Sequence, residues 1–246
     1  MQNAAASIST FCPAAQPGSG AARRAALAPV RRWLVWAACI WLLLNACATQ
    51  AWDAERMLAA ARRQGPNAVQ GTRALQAVLL AATGADDDTK LQAVNQFFNQ
   101  RIAFREDIEV WGQLDYWASP MEMLEKGEGD CEDYAIGKYF SLLALGMPVN
   151  KLRMVYVRAQ MGAAGGVVAA HMVLAYYAAV GADPLILDNL VADVRPAARR
   201  PDLAPVFSFN SEGLWQGVGS QSAGDPLARF SRWRDVLSKA RAEGFQ

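Results

Sequence analysis

A change of hydrophobic pattern partway along the chain, at Gly146-x-Pro148, constrains the fold more than any other feature of the sequence. Before this point apolar residues recur at helical spacing, whereas after it come short runs rich in Val and Tyr that are typical of β-strands. Helices followed by consecutive strands favour an α+β fold with an antiparallel sheet. We see no dividing linker in residues 49–246, which we predict to form one domain.

Caps and chain breakers set the expected limits of the helices and strands. Ser119-Pro120-Met121-Glu122 is a capping box that starts a short helix ending at Gly127, and Asp86 to Asp88 supply N-cap oxygens for a helix over 89–101. The other predicted helices are 53–63, 67–82, 131–145 and 226–240. The predicted strands are 152–159, 170–178, 184–188, 206–210 and 213–215.

Residues 1–48 are predicted to be an N-terminal extension and targeting segment. Arg31-Arg32 precede an apolar run over 33–44, and the small residues Ala46-Cys47-Ala48 follow. This order of basic, apolar and small residues is typical of an export signal and predicts a periplasmic protein. The apolar run is shorter than the roughly 20 residues of a membrane-spanning helix. Signal cleavage, lipidation of Cys47, a retained anchor and a later translation start all stay open.

The charge balance differs between the targeting segment and the remainder. Residues 1–47 hold four of the 24 basic residues and no acidic ones, which leaves 20 basic against 23 acidic residues in the rest of the chain. A mildly acidic domain gives no reason to expect nucleic-acid binding.

One cysteine stands apart from the other three. Cys12, Cys39 and Cys47 lie in or before the targeting segment, so a cleaved, exported protein would retain Cys131 alone. Such a thiol has no disulfide partner, and the alternatives are a reactive group or an inert buried cysteine. Cys131 follows the loop Gly127-Glu128-Gly129-Asp130 and opens a predicted helix. Free backbone N–H groups and the helix dipole at that position favour the thiolate, which is the nucleophile.

The single histidine, His171, is the candidate base for this thiol. It begins a predicted strand, and Asp188 ends the next one. In a simple hairpin with its turn near Gly181, these two residues would be equidistant from the turn and close in space. Asp188 could then orient the imidazole of His171, although an ordinary strand-end role is the alternative.

The motifs around these residues resemble a known family, the bacterial transglutaminase-like cysteine proteinases, and in particular its LapG-type periplasmic members. The matching segments run in order over residues 90–216: Asp115-Tyr116-Trp117, Pro120, Gly127-x-Gly129-Asp130-Cys131-Glu132-Asp133-Tyr134-Ala135-Ile136, Lys138-Tyr139, Leu145-Gly146-x-Pro148, Leu152-Arg153, Tyr156-Val157, His171-Met172-Val173-Leu174, Leu185-x-Leu187-Asp188-Asn189 and Phe207-Ser208-Phe209-Asn210. The resemblance implies a papain/transglutaminase-like core in which Cys131, His171 and Asp188 are nucleophile, base and orienting residue.

The resemblance also implies a Ca²⁺ cofactor, with Asp130 and Glu132 as its matching metal ligands. Carboxylates are hard oxygen ligands that suit this ion. Asp133 and Asp115 are further candidates, and helix capping is the alternative role for Asp130 and Glu132.

The implied protein partners are a large surface adhesin, clipped in its N-terminal region near an Ala-Ala pair to release cells from a biofilm, and an inner-membrane cyclic-di-GMP receptor that sequesters the protease. Two rival functions stay open. A transglutaminase-like acyl transferase or amidase would use the same three residues, and a non-enzymatic binding protein could share the fold.

Overall fold

The computed structural model describes residues 52–162 and 166–245. The predicted targeting segment lies outside the described residues, and the domain boundary at 48/49 stays a prediction. Over the two described ranges, no helix is both long and apolar enough to cross a membrane.

Helices fill the first half of the described chain and begin and end at recognisable caps. Asp86 accepts a hydrogen bond from the Thr89 backbone N–H at 2.8 Å. Ser119 and Glu122 form the expected capping box, and Gly127 ends that helix with φ 68°. The helices are α1 (Ala54–Gln64), α2 (Pro66–Ala82), α3 (Asp87–Arg101), α4 (Asp107–Val110), α5 (Pro120–Lys126) and α6 (Cys131–Ala144).

The strands form one small and one large sheet in the described part of the chain. In the small sheet, β1 (Ala103–Phe104) pairs in parallel with β2 (Glu128–Gly129). The large sheet has the order β6-β5-β4-β3-β7-β8-β9, and all its pairs are antiparallel. Its strands are β3 (Leu152–Gln160), β4 (Val168–Tyr176), β5 (Leu185–Leu187), β6 (Arg195–Pro196), β7 (Leu203–Phe209), β8 (Leu214–Gln216) and β9 (Ser222–Gly224). The α+β expectation with an antiparallel sheet is confirmed.

Helix α6 is enclosed by the main core, and Cys131 is its first residue. Ile136, Tyr139 and Leu142 are fully buried, and they share one apolar cluster with Met172 and Leu174 of β4. The intervening β4 residues Val173 and Ala175 belong to a smaller cluster, as the alternation of a strand requires. Because α6 packs against β4, the start of this helix lies beside the strand that holds His171.

The C-terminal region differs from the expected single helix over 226–240. It forms two helices, α7 (Pro226–Arg229) and α8 (Ser231–Ala242), separated by an extended Phe230 with φ −116° and ψ 96°. The Phe230 ring stacks on Phe207 with 5.5 Å between centroids and lies 5.2 Å from the ring of Phe209. Packing against these β7 aromatics therefore overrides the helical periodicity at Phe230.

Candidate active site and metal site

Cys131 is the first residue of α6, as expected. Its N-cap, Asp130, is extended and makes no side-chain capping bond, so its carboxylate does not satisfy the N–H groups of the first turn. Gly129 allows a close approach of the loop to the helix, because a Cβ atom there would lie 2.8 Å from Oδ2 of Asp133. The thiol is partly exposed and donates a hydrogen bond to Oε2 of Glu132 at 3.0 Å.

His171 lies on β4 and is 3 % exposed. Its Nε2 is 2.8 Å from Oδ1 of Asp188. The expected proximity of His171 and Asp188 is therefore present, but the expected register is wrong. Leu187 lies opposite Leu174, so a continued ladder would place Asp188 opposite Val173. The His171–Asp188 contact is thus diagonal, between neighbours two residues out of register.

Asp188 is held as an anion by three donors. Besides His171, the Leu190 backbone N–H donates to Oδ1 at 3.0 Å, and Nη2 of Arg200 donates to Oδ2 at 2.7 Å. Burial alone would raise the pKa of Asp188, but these hydrogen bonds outweigh it and lower the pKa to about 2. An ionised Asp188 accepts from Nε2–H, which assigns the proton of neutral His171 to Nε2 and leaves Nδ1 as the basic nitrogen.

Arg200 was not identified by sequence analysis. It is 3 % exposed, and its guanidinium bridges Asp188 and Asp202, each at 2.7 Å from Nη2. Arg200 stands outside the family motifs recognised in the sequence, and an arginine twelve residues after a strand end carries no local signal of such a contact.

The backbone of β4 connects the histidine to the cysteine. The backbone N–H of Met172, the residue after His171, acts on the Cys131 sulfur and favours a lower pKa of the thiol. Among the described residues, no hydrogen bond joins this sulfur to His171, and Nδ1 of His171 has no partner. The thiol donates to Glu132, so this hydrogen bond must break before the proton can pass to His171.

The acidic residues around Cys131 oppose its ionisation. Burial first, then the negative charges of Glu132 and Asp130, raise the pKa of the Cys131 thiol well above its usual value, and the Met172 N–H opposes this only in part. Without a bound cation, burial and these acidic neighbours thus outweigh the contribution of the helix terminus, which by itself favours the thiolate. A cation among these carboxylates would change this balance.

Carboxylates converge at the start of α6 in three overlapping groups. The first contains Asp107, Asp130 and Asp133, and the second contains Asp107, Asp115 and Glu132. The third joins Asp130 and Glu132 to Cys131; within each group the potential ligand atoms lie within 4.8 Å of one another. The structure thus brings together both carboxylates expected from the sequence and the two further candidates.

Asp107 is the member of this cluster that sequence analysis missed. It is 2 % exposed and lies on α4, 23 residues before Asp130 along the chain. The parallel pairing of Ala103 with Glu128 and of Phe104 with Gly129 brings α4 to the start of α6. A two-residue bridge of this kind leaves no periodic pattern in the sequence, so the only available signal was a further acidic residue.

The unmatched charges and oxygens of this cluster fit a hard divalent cation. Oδ1 of Asp107, Oδ1 of Asp130 and Oδ2 of Asp133 are buried and have no hydrogen-bond partner in the part of the chain that the structure describes. Burial raises the pKa of Asp130, and the neighbouring carboxylates raise it further. Burial also raises the pKa of Asp133; the Ala118 backbone N–H acts against this, and the charge of Glu132 adds to it. An oxygen-only ligand set of this density is what Ca²⁺ prefers, whereas the cysteine sulfur is a soft ligand.

Comparisons with known proteins give one family. The family model described as bacterial transglutaminase-like cysteine proteinase matches residues 69–202. The solved structure of EGTA-treated Legionella pneumophila LapG is 34% identical, with a TM-score of 0.67, and the match covers 76% of this chain and 97% of LapG. Calcium-bound Legionella pneumophila LapG is also 34% identical, with a TM-score of 0.64, and the match covers 76% of this chain and 98% of LapG.

No curated protein gave a significant match. The family match spans more than half of the chain and includes Cys131, His171 and Asp188. The chain therefore belongs to the bacterial transglutaminase-like cysteine proteinase family and is a LapG-type cysteine protease.

Proposed function

We propose that Cys131, His171 and Asp188 are the catalytic triad of this cysteine protease. The supporting observation is that the only histidine of the chain is hydrogen-bonded to Asp188 and lies on β4, the strand that packs against the helix opened by Cys131. The tautomer assigned to His171 leaves Nδ1 free to accept the proton of the thiol.

Peptide hydrolysis on this triad proceeds in two stages. The Cys131 sulfur gives its proton to Nδ1 of His171 and attacks the peptide carbonyl carbon, while the free N–H groups of the first turn of α6 can stabilise the oxyanion. The C–N bond then breaks, and the leaving amine takes the proton from His171. Water attacks the resulting thioester, loses a proton to His171, and releases the acid and the thiol.

We propose that Asp107, Asp130 and Glu132 bind Ca²⁺, with Asp133 and Asp115 close enough to complete the site. When bound, the ion supplies positive charge beside the Gly127–Cys131 loop and holds that loop in place. Asp107 and Asp130 then no longer face each other as uncompensated buried carboxylates.

Chelation tests the metal proposal directly. Excess EGTA should stop peptide cleavage, added Ca²⁺ should restore it, and Mg²⁺ should replace it poorly because that ion demands octahedral geometry and retains its waters. Calcium should also raise the melting temperature, since it binds the folded state. Asp130→Ala and Glu132→Ala should lose both effects, whereas the exposed Asp193→Ala should retain them. Full cleavage in EGTA without a thermal shift would remove the metal assignment.

We propose that the substrate is the N-terminal region of a large surface adhesin and that an inner-membrane cyclic-di-GMP receptor regulates the protease. Both proposals rest on the resemblance to LapG-type proteases. Incubation with a candidate adhesin fragment should yield two products with Ca²⁺ and none with Cys131→Ala. An added amine acceptor separates hydrolysis from acyl transfer, because a transferase would couple the amine to the fragment.

We also propose export to the periplasm by the segment over 1–48. Intact-mass measurement of the protein recovered from the periplasmic fraction should show that the residues before about 47–49 are absent. A mass that includes Met1, or a protein confined to the cytoplasm, would overturn this proposal.

A further inference from the structure

Lys138 is a buried cation for which the proposed mechanism has no use. It lies two helical turns after Cys131 on α6 and is 0 % exposed. Its Nζ has no hydrogen-bond partner among the described residues and lies 5.5 Å from the centre of the Tyr134 ring. Burial of an ammonium group without an ion pair is costly, so an apolar residue would serve the core better.

The packing of α6 against α3 places Lys138 beside the loop that holds Asp188. The two helices touch at Gly137, where a Cβ atom would lie 2.6 Å from the Phe98 ring. The next residue on α3, Asn99, donates a hydrogen bond from Nδ2 to the backbone oxygen of Asp188 at 2.7 Å. Lys138 lies one turn after Tyr134 on the same face of α6, and the Tyr134 hydroxyl donates to the backbone oxygen of Ile102, one turn after Asn99. Lys138 is therefore level with Asn99, on the side of α6 that faces the loop holding Asp188.

The electrostatics of Lys138 and Asp188 agree with a position of Lys138 near this carboxylate. Burial lowers the pKa of Lys138 to about 7, and the negative charge of Asp188 is what opposes the decrease. Asp188 is also paired with Arg200, so two cations act on one carboxylate that must also support the protonated form of His171. The groups around the ammonium are thus Asp188, the Tyr134 ring and, through Asp188, His171 and Arg200.

We propose that Lys138 is a positioning residue that acts through Asp188 to set how readily His171 releases its proton. A positive Lys138 and a positive His171 compete for the same anion, and like charges in a buried site disfavour each other. The charge on Lys138 thereby assists proton transfer from His171 to the leaving amine. This inference rests on the proposed triad.

The single histidine makes the inference measurable without substrate. In a Cys131→Ala background, the ring signals of His171 in an NMR pH titration report one group only. Adding Lys138→Met should raise the pH midpoint of this titration by about one unit, the size expected for loss of a nearby like charge. The control Lys151→Met removes a lysine that is paired with Asp87 at the surface, and it should leave the midpoint unchanged.

The outcomes separate this inference from the proposed function. An unchanged midpoint in folded Lys138→Met overturns the role of Lys138, whatever the protease assays show. Cleavage that persists in Cys131→Ala overturns the triad instead. In otherwise wild-type protein, Lys138→Met should lower kcat more than it changes KM, because substrate does not touch Lys138.

The thermal stability of the Lys138 variants provides a second test of the proposal. Methionine has nearly the length of lysine and no charge to bury, so Lys138→Met should melt at or above the wild-type temperature. Lys138→Gln should show the same upward shift of the midpoint. If neither variant folds, Lys138 serves the core and not His171, and the proposal is wrong.

Discussion

Substitution of Asp107 should have opposite effects on the stability of the protein with and without calcium. Burial raises the pKa of Asp107 to about 6. The hydrogen bond from the Tyr116 N–H opposes this increase, whereas the charges of Glu132 and Asp115 add to it. Above that pH the ion-free protein holds an unfavourable anion. Asp107→Asn should therefore raise the melting temperature in EGTA by a few degrees and reduce the further increase that Ca²⁺ produces.

The matched control for Asp107 is Asp115→Asn. Its side chain is 46% exposed and pairs with Arg232, so its charge is better screened. The control should change the melting temperature in EGTA much less. Equal stability of Asp107→Asn and wild type in EGTA, together with an undiminished calcium shift, would contradict the assignment of Asp107 to the metal site.

Arg200 should matter more to stability than any surface arginine, because it neutralises the buried carboxylate of Asp188. Arg200→Ala removes the guanidinium that is hydrogen-bonded to that carboxylate and should destabilise the protein by about 3–5 kcal/mol. The loss should be smaller at acid pH, since without Arg200 the pKa of Asp188 rises and the group can take up a proton.

Urea unfolding at several pH values measures the Arg200 effect. Arg195→Ala is the control: its partner is Asp193, both side chains are largely exposed, and its loss should cost about 1 kcal/mol or less. If Arg200→Ala and Arg195→Ala were equally stable, the bridge from Arg200 to Asp188 would have no structural importance.

At the scale of elements, the contact between α3 and α6 depends on a missing side chain at Gly137. Replacing a helical glycine by alanine usually stabilises a helix by about 1 kcal/mol. Here the new Cβ would lie 2.6 Å from the Phe98 ring and 2.7 Å from the end of Met123. We expect Gly137→Ala to destabilise the protein by about 1–3 kcal/mol, despite the better helix propensity.

Two measurements test the Gly137 prediction. Chemical unfolding should give a lower free energy for Gly137→Ala than for wild type. The double variant Gly137→Ala with Phe98→Leu should recover part of this loss relative to Phe98→Leu alone, because the ring edge is the obstacle. Gly137→Ala more stable than wild type would show that α3 and α6 can separate without cost.

At the scale of the whole molecule, the C-terminal end is tied to the helix before the active-site loop. Glu243 follows α8, is 6 % exposed, and accepts hydrogen bonds from the Ser119 hydroxyl and, at 3.3 Å, from the Met121 N–H. Two residues further on, Phe245 forms a β-bridge with Trp52 at the other end of the described chain. The two ends of the described chain are thus joined around α5.

Burial raises the pKa of Glu243 to about 7, against the opposing hydrogen bonds from Ser119 and Met121. The pKa is about 4.5 in the unfolded chain, so the folded state holds the proton more tightly. Stability contributed by the protonated group is therefore complete below pH 4.5 and is lost as the pH rises through about 7. The total loss is on the order of 3 kcal/mol at most.

Glu243→Gln should remove this pH dependence. The variant should match wild type near pH 4.5 and exceed its melting temperature at pH 8, because glutamine keeps an acceptor and has no charge to bury. Glu55→Gln, on the exposed first turn of α1, should follow the wild-type pH curve within about 0.5 kcal/mol. A Glu243→Gln curve parallel to that of wild type would show that Glu243 does not titrate between these pH values.

Local chemistry determined what could be predicted without coordinates. The Ser119 capping box, the Asp86 N-cap and the left-handed Gly127 depend on residues within one helical turn, so the helices before and at Cys131 were predicted to within a few residues, except for the one-turn α4, which was missed. The family motifs and the uniqueness of His171 identified the proposed triad, because they are properties of the linear chain.

Only the tertiary structure decided which distant groups meet. The two-residue β1–β2 pairing brings Asp107 to the acidic cluster, and the actual β4–β5 register makes the His171–Asp188 contact diagonal. Arg200, Lys138 and the break at Phe230 likewise depend on partners far along the chain. The sequence by itself therefore determined the longer helices up to α6 and the candidate nucleophile and base, whose signals are local. The charges around them were decided by packing, because burial and long-range contacts set electrostatic energies and neither leaves a periodic trace in the sequence.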